Sequence, residues 1–239
     1  MVTCVGRAEK VVEGRNFAPG RSVLVCRPAS FPGATPYMDQ VPKVNPMRRP
    51  LFAAVATTAL LMADAAPAAG ALKTAVFAGG CFWSAEHDIE HTPGVRSVVV
   101  GYSGGTLKNP TYENHEGHLE SIKVTYDPAK ISYPQLVDAF FHHIDPTDPG
   151  GQICDQGPSY RTAVFTSDAG ERIQAEQIRA QVAKTLGRPV ATRVLPASTF
   201  WMAEGYHQDY ARKNPVAYGL YRTGCGRDAR LKAVWGGRR

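Results

Sequence analysis

From Lys73 onward the chain changes hydrophobic period every eight to twenty residues or so, and glycine or proline marks most changes, which narrows the folds open to it. Residues 73 to 78 (KTAVFA) are an apolar run of strand length, and residues 82 to 91 read as a helix that Pro93-Gly94 stops. Residues 95 to 102 are β-branched, and residues 118 to 126 alternate as a strand with one buried face. Ser132 can cap a helix running to His143, with Pro134 early in its first turn where the missing N–H is harmless. Residues 161 to 166 form another strand. Ser167 then caps a long amphipathic helix, with Ile173, Ile178, Val182 and Leu186 facing inward and Gly187 to Pro189 ending it, and residues 190 to 195 are a last strand. The order strand, helix, strand, strand, helix, strand, followed by helix and strand, is the ferredoxin-like split βαβ pattern: an α+β fold with a mixed sheet and helices packed on it. Beyond Arg212 the chain is polar and contains glycines, and reads as a long extended tail wrapping the surface.

The first third has a different character. Residues 1 to 46 show no sustained period, with scattered Pro and Gly and two cysteines, Cys4 and Cys26. Met47 then opens MRRPLFAAVATTALLMADAAPAAGALK, in which Arg48 and Arg49 precede an apolar run from Leu51 to Ala63. That run is shorter than the ~20 residues a membrane span needs, but it suits a secretory leader followed by Ala-rich cleavage sites. The expected division is a start-site artefact or disordered segment over 1–46, a signal peptide over 47–72 and a catalytic domain over 73–239. It places the mature protein in the periplasm or outside the cell. A disordered Ala-rich linker is the competing reading, and would leave the protein cytoplasmic.

Charge excludes one class of partner. The chain has 27 Lys and Arg against 21 Asp and Glu, but eight of the former and four of the latter precede Lys73. What remains is nearly balanced, which argues against nucleic-acid binding. The same division leaves Cys81, Cys154 and Cys225 downstream, an odd number that points to at least one thiol with chemical work.

Cys81 follows a strand and Gly79-Gly80 and opens a helix, where unpaired N–H groups and the helix dipole favour a thiolate. Such positions lower a cysteine from ~8.5 to roughly 3.5–7.5. A small buried hydrophobe is the alternative. Phe82 and Trp83 in the first turn can wall an apolar pocket beside the sulfur, or simply be core.

Five stretches in order, GCFWSAEHDI, GYSGGTLKNPTY, GHLESIKVTYDP, DPTDPGGQICDQGPSYRTAVF and FWMAEGYHQDYARKNP, resemble the A-type peptide methionine sulfoxide reductases. The resemblance runs from about Ala75 to Arg230. It implies reduction of the S epimer of methionine sulfoxide, free or in oxidised proteins and peptides, as repair after oxidative damage. It implies that Cys81 attacks the sulfoxide sulfur and becomes a sulfenic acid, and that Phe82 and Trp83 hold the methyl group. Glu120, kept protonated by an apolar site, and the hydroxyls of Tyr112 and Tyr160 would serve the oxygen, with Asp155 near the cysteine. Asp155 can equally be a hydrogen-bonded turn residue. Cys225, between Gly224 and Gly226, would resolve the sulfenic acid as a Cys81–Cys225 disulfide, which thioredoxin or a similar dithiol protein reduces. Cys154 is read as structural or incidental. No cofactor is implied beyond that external dithiol.

His115, His118, His142 and His143 invite a metal-site reading, but adjacent His142 and His143 point about 100° apart on a helix, and no metal is expected. Glu204, Tyr206 and His207 read as packing beside the site. A monomer is the expected state. A cysteine hydrolase, with a histidine as base, is the rival enzyme class, and a ferredoxin-like binding module with an inert Cys81 is the non-enzymatic one.

Overall fold

A computed structural model of the chain describes residues 70–236. The start-site and leader expectations for the segment before Gly70 lie outside the described residues.

The first strand, β1 (Lys73–Ala78), leads through Gly79-Gly80 into α1 (Phe82–Ile89), and β2 (Val95–Ser103) and β3 (Leu119–Tyr126) follow. Next comes α2 (Tyr133–His142), then a small hairpin of β4 (Gly151–Gln152) and β5 (Asp155–Gln156), and a 3-10 turn over Pro158–Tyr160. β6 (Ala163–Thr166), α3 (Ala169–Leu186), β7 (Arg193–Pro196) and β8 (Trp201–Met202) complete the sheet region. The main sheet has the order β7-β6-β1-β3-β2-β8. β3 lies antiparallel between β1 and β2, β6 is antiparallel to β1, and β7 joins β6 in parallel. The four central strands thus keep the split βαβ order, with one added strand at each edge.

Alternation decides which side chains meet. Ala75 and Phe77 of β1, Val100 and Tyr102 of β2, and Ile122, Val124 and Tyr126 of β3 enter the main core, against Phe82, Ala85 and Ile89 of α1 and Leu136, Val137, Phe140 and Phe141 of α2. Val76 and Ala78 take the other parity and join Leu119, Ala163 and Phe165 in a second cluster. Glu120 shares its parity with Ile122 and Val124, so the strand that builds the core also carries this carboxyl inward, where it is 2% exposed.

Ser132 caps α2 through a reciprocal pair with Gln135. α3 departs from the expectation. Asp168, not Ser167, is its N-cap, accepting from the amide of Glu171 at 2.8 Å, while the Glu171 carboxylate takes the Ser167 amide. Ile173 is 55% exposed, because the inward row is Ala175, Ile178, Val182 and Leu186, and Ile173 lies about 200° from Ala175.

The expected extended tail is helical instead. It forms α4 (Tyr210–Lys213), α5 (Pro215–Cys225) and α6 (Arg227–Trp235). Arg227, Leu231, Val234 and Trp235 recur at helical spacing, and that short buried face was hidden by the polar residues between them. Trp235 donates its indole N–H to the carbonyl of Ile144, and Arg227 reaches Asp88 of α1 and the His143 carbonyl.

Candidate active site

Two glycines aim Cys81. A side chain at Gly79 would crowd Ala85 and Phe140, and Gly80 takes φ +81 with the place of its missing Cβ occupied by Gln152. The chain therefore turns sharply out of β1, leaving Cys81 as the N-cap of α1, its carbonyl accepting from the amides of Ser84 and Ala85. The amide of Phe82 donates to Glu120 Oε2 at 2.9 Å. A helix N-terminus and a buried carboxyl are thus joined beside the sulfur.

The remaining groups converge from three loops. Burial holds the hydroxyls of Tyr112 and Tyr160 well above the usual phenol range, and the charges of Glu120, Cys81 and Asp155 add to the shift in both. Burial also lifts Glu120 to about 8, against the opposing hydrogen bond from Phe82, and Asp155 raises it further. This agrees with a carboxyl that stays protonated at neutral pH. Cys81 goes the other way from expectation. Burial first, then the Glu120 and Asp155 carboxyls, push its thiol far up, outweighing a hydrogen bond from Tyr221 and the Ser84 amide. Its helix position does not lower it here, because the same pocket that receives the thiol excludes water and holds two acids.

The aromatic wall is built around Trp83. Tyr210 stacks on it at 3.8 Å and 9°, Tyr221 meets it edge-on at 6.2 Å, and its indole N–H donates to His207 Nδ1 at 3.0 Å. Phe82 lies against Tyr102, Tyr112 and His207. Glu204 accepts from the Tyr112 amide at 2.9 Å and the Tyr102 hydroxyl at 3.1 Å, so the packing role read for residues 204–207 has definite content. Neither Tyr210 nor Tyr221 was singled out from the sequence. Tyr210 lies in the quoted stretch FWMAEGYHQDYARKNP, whereas Tyr221 falls in the region beyond Arg212 read as an extended tail.

Cys225 is bonded to Cys154, with Cα atoms 5.2 Å apart, and among the described residues Cys81 is the free cysteine. Cys154, read as structural or incidental, sits exposed at the β4–β5 turn, where Ile153 takes φ +61 and presents it to the C-terminal end of α5. Next to that bond, Tyr221 donates to Asp155 Oδ2 at 2.6 Å.

The histidines are accounted for by ordinary contacts. His118 bridges the Gly105 amide and the Leu107 carbonyl, His115 stacks on Tyr102, and His142 stacks on Trp235. A different set, His87, Glu90 and His91, brings ligand atoms within 4.8 Å of one another, at the end of α1 opposite Cys81.

A cysteine seated among protonatable acids and phenols, facing an aromatic wall and backed by a disulfide, defines a thiol-based oxidoreductase. The sequence matches the peptide methionine sulfoxide reductase family over residues 73–239. It is 54% identical to the peptide methionine sulfoxide reductase MsrA 2 of Caulobacter vibrioides, covering 80% of this chain and all of that one, and 43% identical to MsrA 2 of Rhizobium meliloti, covering 80% and 96%. Among solved structures, methionine sulfoxide reductase A of Corynebacterium diphtheriae aligns with a TM-score of 0.58 at 32% identity, covering 61% of this chain and 76% of that one. Mxr1 of Saccharomyces cerevisiae in reduced form aligns at 0.57 and 29%, covering 61% and 87%. The chain belongs to the A-type peptide methionine sulfoxide reductases. Its activity is that of a peptide-methionine (S)-S-oxide reductase.

Proposed function

We propose that Cys81 is the nucleophile and Glu120 the acid of this reaction. The observation that carries this assignment is the buried Glu120 carboxyl, held at about 8 and tied to the amide that follows Cys81. Glu120 gives its proton to the sulfoxide oxygen, with the Tyr112 and Tyr160 hydroxyls as further donors. The Cys81 sulfur attacks the sulfoxide sulfur, and its own proton replaces the one Glu120 gave up. In balance, R–S(O)–CH3 and Cys81–SH become R–S–CH3 and Cys81–SOH: methionine sulfur gains two electrons and Cys81 loses them. Phe82 and Trp83 wall the slot for the methyl group, and Asp155 orients the neighbourhood of the sulfur through Tyr221.

Regeneration uses the outer pair. The Cys225 thiol attacks the sulfenic acid, releasing water and forming Cys81–Cys225; the Cys154 thiol then takes Cys225, freeing Cys81 as a thiol. The resulting Cys154–Cys225 bond, exposed at Cys154, suits reduction by a thioredoxin-like dithiol protein. No cofactor is needed in this scheme, and the protein acts as a monomer on oxidised proteins and peptides. The leader-like segment from Met47 favours an exported, periplasmic or secreted setting; N-terminal sequencing of the native protein tests it, and a mature start upstream of Met47 removes it.

Single turnover tests the chemistry. Reduced protein mixed with each epimer of a methionine sulfoxide peptide is expected to yield one methionine per chain from the S epimer, with two thiols lost. Acylation of Cys81 by an ester, with no reaction of either epimer, would establish the hydrolase reading instead.

A further inference from the structure

Cys81 is buried at 6% exposure, and part of what covers it is Tyr221 of α5. The Tyr221 hydroxyl meets the sulfur and Asp155, and its ring sits on the edge of Trp83, so α5 fills space that a sulfoxide must use. Very little apolar packing keeps the helix there. Tyr218 is its one buried side chain, while Val216 and Leu220 are 76% and 72% exposed. Gly219 and Gly224 lie in its interior with nothing within 4 Å of where a Cβ would be. Each such glycine weakens a helix about fivefold relative to alanine.

Two sets of contacts hold α5 down: Tyr218 to Ser84 and Arg222 to Asp88 fasten it to α1, and residues 154 and 155 fasten its C-terminal half beside the sulfur. Cys225 bonds Cys154, and one turn earlier Tyr221 bonds Asp155. The pair acts as a latch, because the covalent link keeps the weaker hydrogen bond in register. Arg222 adds contacts to Asp88 and Asp228, and the hinge beyond is Gly226 at φ +68. α6 shares the Asp88 carboxylate with α5 but is also seated by its own buried face, Leu231, Val234 and Trp235, so it keeps its place when α5 releases.

We infer that α5 is a cover latched by the Cys154–Cys225 bond: while that bond stands, Tyr221 lies over Cys81 and the aromatic slot, and a sulfoxide enters only after an external dithiol has opened it. The opening step balances as a disulfide and a dithiol exchanging to two thiols and a new disulfide, with two electrons passing to Cys154 and Cys225. The inference rests on the roles proposed above. It supplies an order of events, since a sulfoxide admitted onto oxidised enzyme would leave Cys81–SOH without a thiol to resolve it. A sulfenic acid left unresolved is open to a second two-electron oxidation by a peroxide, which carries it irreversibly to sulfinic acid. Release of α5 also frees Cys225, one turn and about 6 Å of rise beyond Tyr221, to replace that side chain beside Cys81.

Iodoacetamide modification of Cys81 in the full chain, followed by peptide mass spectrometry, tests the latch with no sulfoxide present. Protein with the Cys154–Cys225 bond intact is compared with protein reduced by dithiothreitol. Cys81 is expected to react about tenfold or more faster after reduction, the ratio of open to closed α5 setting the rate. Tyr221→Ala should bring the oxidised protein close to the reduced rate. Gly219→Ala with Gly224→Ala, which meets no clash, should slow the reduced protein by about fivefold or more. Equal Cys81 rates in oxidised and reduced protein, or a rate in Tyr221→Ala unchanged from the oxidised wild type, would overturn the inference. Such a result leaves the reductase assignment standing, whereas a chain inert to both epimers with a strong redox effect on alkylation would overturn the assignment and spare the cover.

Discussion

The amide of Phe82 and the carboxyl of Glu120, 38 residues apart in sequence, meet at 2.9 Å in a buried setting. One belongs to the first turn of α1 and the other to the inward row of β3. Their bond fixes the helix that presents Cys81 against the strand that presents Glu120, so the proposed nucleophile and the proposed proton donor share one rigid frame. The bond also favours the carboxylate, and burial still overrides it, leaving Glu120 at about 8.

That value gives a pH dependence of definite sign. In its proposed role as the acid Glu120 works only when protonated, so kcat/KM should hold steady through neutral pH and fall above about 8. Glu120→Gln should lower kcat/KM roughly 10²- to 10⁴-fold and remove this descending limb. The same group links to stability. Its ionisation in the folded chain is raised from 4.5 to about 8, so the folded state keeps a proton that the unfolded chain releases. Its stabilisation is complete below pH 4.5 and is lost as pH climbs through that window. Thermal melts of Glu120→Gln and wild type should therefore diverge in the mutant's favour as pH rises from 5 to 9. A rate limb near 8 that survives in Glu120→Gln would assign it to another group.

His207 holds the slot through Trp83. Burial lowers the histidine to about 4, so the ring is neutral, its Nδ1 accepts the indole N–H, and the proton lies on Nε2. Replacing it with phenylalanine keeps the ring but removes the acceptor. The prediction is a rise in KM of about tenfold for a sulfoxide peptide, the worth of one buried hydrogen bond, with a smaller change in kcat. A change confined to kcat would place His207 in the chemical step.

The sequence carried the strand and helix order because period and punctuation are local properties, and the central strand order followed from them. Cys81, Glu120 and the aromatic pair Phe82 and Trp83 could be singled out for a different reason: they lie in contiguous motifs. What escaped depends on long-range packing. The α5–α6 region was read as an extended tail since α5 buries only Tyr218 and α6 four residues among charged ones, and with α5 went Tyr221 and the partner of Cys154. The sequence left Cys81 open between a thiolate and a buried thiol, because a helix N-terminus can be recognised in sequence, whereas the two acids and the burial that outweigh it are tertiary.

Gly80 offers a test of the turn itself. At φ +81, with Gln152 where a Cβ would stand, Gly80→Ala carries both backbone strain and a clash. The expected cost is about 2–4 kcal/mol in denaturant unfolding, with single-turnover methionine formation reduced along with it. A variant that melts like wild type would show that the turn tolerates a side chain and that glycine is not required to aim Cys81.

Asp88 anchors the C-terminal helices electrostatically. It is 7% exposed and pairs with Arg222 Nη1 at 2.8 Å and with Arg227 Nε at 3.1 Å, the latter side chain being 1% exposed. Asp88→Ala leaves that guanidinium buried and without its carboxylate, which should cost about 3–5 kcal/mol. Asp88→Leu combined with Arg227→Met should recover most of the loss, since the desolvation cost goes with the charges. Failure of the double variant to recover would mean that the Arg227 bond to the His143 carbonyl carries the stability.

Cys154 decides between a staple and a relay. Were the Cys154–Cys225 bond purely structural, Cys154→Ser would lower the melting temperature and leave Cys225 free to resolve Cys81 and to be reduced from there. In the relay, the same variant completes one turnover, yields one methionine and stops as Cys81–Cys225, buried where a dithiol protein reaches it slowly. The expected result is therefore a normal burst followed by a steady-state rate lowered at least about tenfold with a thioredoxin-like reductant, and partly restored by a small dithiol. Mass mapping of the stalled protein should find Cys81 and Cys225 in one disulfide-linked pair of peptides. Undiminished turnover with the protein reductant would return Cys154 to a structural role and make Cys225 the sole resolving thiol.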